Sequence, residues 1–147
     1  MSRLWELLEE QLAHGAALLP VTGNSMWPLL AGGRDMVRLV RPDRPAGRGD
    51  VVLYRRAGGQ YVLHRVVRCG KDGLVCCGDN QWERETVPGG SVIAVVTAFR
   101  RKGRWHETGR PGVWRLYAWL WSGTFPVRRP LLRLAHLLRR LRGVRSL

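Results

Sequence analysis

The chain predicts a small, mainly β domain, an antiparallel coiled sheet or partly open barrel, with a short helix before it and a basic, amphipathic helical tail after it. Three observations lead there. Between Asp35 and about Arg104 the chain passes through Val-rich segments at Asp35–Val40, Asp50–Arg55, Tyr61–Cys69, Leu74–Gly78 and Ser91–Arg100. Strong turn signals separate them: Gly58-Gly59 and Asp72-Gly73 suit tight hairpins, because glycine accepts the positive φ such turns demand. No helical periodicity interrupts the series, so consecutive strands are expected to pair antiparallel.

The elements follow in order. Residues 2–13 form a helix, capped by Ser2, with Leu4, Trp5, Leu8 and Leu12 at helical spacing and Gly15 as its stop. Ala16–Val21 is a short strand that runs into Thr22-Gly23-Asn24-Ser25. Arg41–Gly49, with Pro42 and Pro45, is a loop. After the sheet, Val113–Trp121 is a short aromatic and apolar stretch, and Pro126 and Pro130 break the chain. Pro130 suits the first turn of a last helix, Leu131–Arg142. There Leu131, Leu134, Ala135, Leu137, Leu138 and Leu141 share one side, and Arg133, Arg139 and Arg140 face away. The expected division is therefore a helix at 1–15, a β domain at 16–105 and a helical tail at 106–147, one domain with extensions in a chain of 147 residues.

Composition narrows the partners. Lys and Arg number 25 against 11 Asp and Glu, a formal charge of +14. From Arg110 to Leu147 there are nine arginines and no acidic residue. Such a surface attracts anionic lipid, acidic peptides or nucleic acid. The tail, residues 110–147, is the expected contact with an anionic membrane surface, its Trp and Leu side chains lying at headgroup level. Nucleic acid is the least favoured of these partners. Glu6, Glu9 and Glu10 stand where a secretory signal would need an apolar run. No stretch approaches the ~18 apolar residues of a membrane span. The expected location is the cytoplasm, peripheral to a membrane. Cys69, Cys76 and Cys77 offer no metal-ligand spacing, and they read as reduced strand cysteines. No metal or cofactor is expected.

Three short segments carry chemistry. In Gly23-Asn24-Ser25-Met26-Trp27-Pro28 a serine stands between a glycine that permits an unusual turn and a proline that restricts one. Such a loop can present a hydroxyl nucleophile beside backbone N–H donors, which acyl transfer requires. In Tyr61–Val67, strand alternation puts His64 on the face of Val62 and Val66, where an imidazole titrating near ~6.5 can serve as a general base. In Gly78-Asp79-Asn80 the Asp79 carboxylate could orient that imidazole, and Glu85 is the other candidate. Asp50 opens a strand and reads as a structural turn residue.

Taken together, Gly-Asn-Ser-Met-Trp-Pro at 23–28, Arg-Gly-Asp-Val-Val-Leu-Tyr at 48–54, Leu-His-Arg-Val-Val at 63–67 and Gly-Asp-Asn at 78–80 resemble the signal peptidase I and LexA-like serine peptidase superfamily. The resemblance covers roughly residues 16–100. It implies a serine endopeptidase that removes a leader or signal-like segment from a peptide or protein precursor, with Ser25 as nucleophile. Many members place a lysine base where this chain has His64, so the chain looks like a Ser–His variant. Its lysines, Lys71 and Lys102, match no base position. The resemblance further implies an oxyanion and substrate region around Asn24, Met26 and Pro28, with small or apolar residues accepted near Met26 and Trp27. The alternative is a non-catalytic module that keeps the β fold and binds membrane or nucleic acid through the tail. An autoproteolytic repressor is not expected, because about 24 residues before Ser25 cannot hold a helix-turn-helix with its supporting helices.

Overall fold

Glycine sets both expected hairpins: Gly59 at φ 88° joins β3 (Val51–Arg55) to β4 (Tyr61–Gly70), and Gly73 at φ 136° opens β5 (Gly73–Cys77). A side chain at Gly73 would also run into the Val87 carbonyl, 2.2 Å from where its Cβ would stand. The remaining strands are β1 (Ala16–Pro20), β2 (Met36–Val40), β6 (Glu85–Val87), β7 (Val92–Arg101) and β8 (Arg104–Glu107). This computed structural model describes residues 3–108, 112–122 and 125–144.

All eight strands pair antiparallel in one sheet of order β1-β2-β7-β3-β4-β5-β6, with β8 on β7, and the sheet does not close. The long strand β7 serves β2 along one edge, while its other edge passes from β3 to β8. The short strands β6 and β8 were not expected. β6 has three residues and β8 reads Arg-Trp-His-Glu, so neither carries a legible apolar alternation.

Strand alternation divides the core. Val51 and Leu53 join a cluster with Leu8, Leu12, Val37, Leu39 and Phe99. Their neighbours Val52 and Tyr54 turn the other way, to Val62, Val66, Leu74 and Cys76. Each such aliphatic side chain contributes about 1.5–3 kcal/mol when fully buried. Helix α1 (Arg3–Ala13) lays Leu8 and Leu12 on the first cluster, stacks Trp5 on Tyr61 with ring centres 3.8 Å apart, and ends before Gly15 at φ 125°. The Ser2 cap lies outside the described residues.

The tail departs from expectation in two ways. The aromatic stretch is a helix, α2 (Val113–Ser122), and the last helix, α3 (Phe125–Val144), starts six residues earlier than the pattern predicts. Pro130 is therefore inside α3. A proline there forgoes only the bond to the Pro126 carbonyl, close to the helix start, and Pro126 itself occupies the first turn. The leucines share one side, and it is the outer one: Leu131, Leu134, Leu137, Leu138 and Leu141 are exposed. The side packed on the domain carries Leu132, His136 and Arg128, whose guanidinium is wholly buried.

Candidate active site

Ser25 stands on a loop whose backbone is folded tightly on itself. Gly32 donates to the Gly23 carbonyl at 2.9 Å, and a Cβ at Gly32 would sit 2.7 Å from Gly23 backbone atoms. Met26, 2% exposed, pins the loop into the core beside Leu29 and Leu30. The Trp27–Pro28 bond is cis. From the far side, the Gly78-Asp79-Asn80 turn holds the Ser25 backbone itself. Asn80 donates its backbone N–H to the Ser25 carbonyl at 2.9 Å and its side-chain amide to the Asn24 carbonyl at 3.0 Å. Gly78 has no alternative there, since a Cβ would stand 2.5 Å from the Ser25 carbonyl oxygen. The amide N–H of Ser25 has no protein acceptor among the described residues.

His64 is placed by strand pairing. It lies opposite Val52 in the β3–β4 ladder, on the face of the second core cluster, and is 5% exposed. Its Nδ1 lies 3.3 Å from the Tyr54 hydroxyl and 3.7 Å from Glu85 Oε1. Tyr54 donates to Glu85, and Arg56 grips the same carboxylate at 2.7 and 3.0 Å. These contacts fix the proton order. The Arg56 guanidinium holds Glu85 below the usual carboxylate range, so Glu85 only accepts. Burial, with Glu85 beside it, pushes the Tyr54 phenol far up, so Tyr54 keeps its proton. With its O–H donated to Glu85 in a hydrogen bond, the Tyr54 oxygen can only accept from His64, which makes Nδ1 the protonated nitrogen and leaves the lone pair on Nε2. Burial lowers the His64 pKa from its ordinary value, against the opposing pull of Glu85, so the ring is neutral at pH 7.

Ser25 and His64 line the same groove, a cavity of about 420 Å³ walled by Pro20, Val21, Met26, Leu53, Leu63 and neighbours. No hydrogen bond joins them among the described residues. Nε2 has no protein partner either, and since no buried side-chain nitrogen is left unsatisfied among the described residues, it is accessible at the surface of a cavity that His64 lines. A second cavity of about 300 Å³ meets His64 from the side of Glu85 and Asn80. A further hollow of about 460 Å³, between α2 and Arg48–Val51, touches neither residue.

Asp79 is elsewhere. Its two oxygens accept from Arg65 at 2.8 Å each, and Tyr117 adds a bond at 3.3 Å. Arg65 follows His64 directly, so alternation sends the two to opposite faces of β4, and the carboxylate goes with Arg65. The orienting position expected for Asp79 is occupied by the Tyr54–Glu85 pair, of which sequence reasoning missed Tyr54. Its position two residues from the His64 partner Val52 was the available signal. Met26 lines the groove, while Asn24 and Pro28 do not. Trp27 is turned away from it, stacked on His136 with ring centres 5.2 Å apart and under the Arg139 guanidinium at 5.5 Å. Asp50 is the turn residue expected, accepting from the Gly47 amide at 2.9 Å.

Among the described residues no cluster of His, Cys, Asp and Glu could hold a metal ion. Cys76 and Cys77 are buried and all three cysteines are free. Burial pushes the Cys76 thiol up to about 12, which makes it a poor nucleophile. No helix of the described residues is long and apolar enough to cross a membrane. No known protein family, curated protein or solved structure matches this chain.

Proposed function

We propose that the protein is a serine endopeptidase of the signal peptidase I and LexA-like kind, acting on a leader or signal-like segment of a peptide precursor. The observation that supports the proposal is the proton order at His64: Nδ1–H is committed to Tyr54, Nε2 is left free to accept a proton, and His64 and Ser25 line one groove.

In the proposed cycle Nε2 takes the Ser25 hydroxyl proton as Oγ attacks the scissile carbonyl. The carbonyl electron pair moves to oxygen, where the Ser25 amide supplies one donor. Collapse of the tetrahedral species breaks the peptide bond. The proton on Nε2 goes to the departing amine, leaving an acyl-enzyme. Water then gives a proton to Nε2, attacks the ester, and the acid product leaves as Oγ regains its proton. The positive charge that the ring carries between these steps is stabilised through Tyr54 by the ionised Glu85. Pro20, Val21, Met26, Leu53 and Leu63 make one part of the groove wall apolar, which favours small or apolar side chains beside the scissile bond.

The test is to incubate the purified protein with leader-bearing peptides and sequence the new N-termini. The expected result is cleavage by the native chain and none by Ser25→Ala or His64→Gln. Equal cleavage by Ser25→Ala rules the mechanism out, and a folded native chain that cleaves nothing favours the binding module.

A further inference from the structure

Helix α3 is amphipathic in the reverse sense for a helix packed on a domain. Its inner side carries a fully buried arginine, Arg128, which reaches the Trp121 carbonyl at 2.6 Å and the Gln81 carbonyl at 3.3 Å. His136 on the same side bonds Asn80. Its outer side is a leucine stripe at positions 131, 134, 138 and 141, about half exposed at Leu134 and Leu138 (53% and 48%). Helix α2 repeats the arrangement: Trp114, Tyr117 and Ala118 face the domain, while Leu116, Trp119 and Leu120 are exposed, Trp119 at 61%. A chain that spends arginine on its interior and leucine on its exterior has a use for the leucine outside. Large exposed apolar faces mark a partner or a membrane.

Charge decides between these occupants. Between Arg110 and Leu147 the chain has no Asp or Glu. Arg115 on α2 and Arg133 and Arg140 on α3 are exposed beside the leucines. A second copy would bring the same positive field against itself. We infer that the outer faces of α2 and α3 form a docking surface for a bilayer that contains anionic lipid, with the leucines and Trp119 entering the headgroup layer and the arginines meeting phosphate. The surface is independent of Ser25 chemistry.

The experiment is vesicle flotation of the full-length protein. Phosphatidylcholine vesicles with phosphatidylglycerol are compared with phosphatidylcholine alone, across a salt series. The protein is expected to float with the anionic vesicles, to bind the neutral ones at least about tenfold more weakly, and to be released progressively by salt. Leu134→Glu/Leu138→Glu should lower partitioning by at least about tenfold, with an unchanged urea midpoint, since both side chains are solvent-facing. The proposal is overturned if the native chain fails to float with anionic vesicles, if the double variant floats as well as the native chain, or if sedimentation shows a dimer that the double variant dissolves. Ser25→Ala should float like the native chain. Flotation without cleavage would remove the peptidase and keep the surface, whereas cleavage without flotation would do the reverse.

Discussion

Arg65 holds Asp79 through two hydrogen bonds of 2.8 Å, with both side chains almost wholly out of solvent. The pair ties β4 to the turn that carries Asn80, and through it to the loop of Ser25. Desolvation alone would push the Arg65 pKa down, and the Asp79 carboxylate more than offsets it. Removing one partner leaves a buried, uncompensated charge. Asp79→Asn should therefore cost about 3–5 kcal/mol in urea unfolding. What activity survives per folded molecule should show an acid limb moved slightly to lower pH, because Asp79 makes no hydrogen bond to His64 yet its charge raises the His64 pKa, after the larger effect of Glu85.

Glu85 and Tyr54 should behave in the opposite way. Glu85→Gln and Tyr54→Phe remove the groups that set the His64 proton, so cleavage should fall on the order of 10²-fold. Glu85 raises the His64 pKa, and its loss should move the acid limb of kcat/KM to still lower pH. A rate profile from pH 4 to 8 reads this directly, on the order of 10 points being sufficient.

The same burial predicts a stability signature. His64 has a folded pKa below its unfolded value of about 6.5, so the unfolded chain binds the proton more readily. Stability should be full above about pH 6.5 and fall as pH drops from there towards the folded value. His64→Gln should flatten that portion of the curve. The carboxylates Asp35 and Glu85, held low by their arginines, lose their contribution only in more acidic solution, below about pH 4. Urea midpoints of native and variant chains across this range check it.

Gly78 offers a steric test. In Gly78→Ala the new Cβ would meet the Ser25 carbonyl oxygen at 2.5 Å, which displaces the loop that carries Ser25, the proposed nucleophile. Activity should fall at least about tenfold, since small misplacements of reacting groups are costly. Gly90→Ala, with nothing within 4 Å, should leave activity unchanged.

His136 sits where it can position the Ser25 loop through Asn80. It bonds Asn80 at 2.7 Å, and Asn80 in turn holds the carbonyls of Asn24 and Ser25. His136→Ala should lower kcat by about tenfold with little change in KM. His136→Gln, which can still reach Asn80 as a hydrogen-bond donor, should recover part of it.

How much of this was legible in the sequence follows from the range of each interaction. The longer strands announce themselves through valine alternation and through Gly59 and Gly73, which are local signals. β6 and β8 depend on neighbours, since Glu85 is in a strand because Cys76 offers it a free edge, and Arg104 because β7 extends past β3. Ser25 and His64 were readable as residue types in suggestive company. The fate of Asp79 was not, because its partner Arg65 is chosen by strand alternation and by a turn that folds back over β4. Least legible was the tail. A leucine stripe reads the same whether it faces in or out, and only the burial of Arg128 distinguishes the two.

That buried guanidinium has a practical corollary for anyone shortening the chain. The arginine-rich end looks like a dispensable handle, yet Trp121 supplies the donor for the Asp79 carbonyl, Arg128 for that of Gln81, and His136 the partner of Asn80. Cutting it off would strip the roof from the turn that holds Ser25, so a stunted protein without activity would report a collapsed turn rather than a lost address.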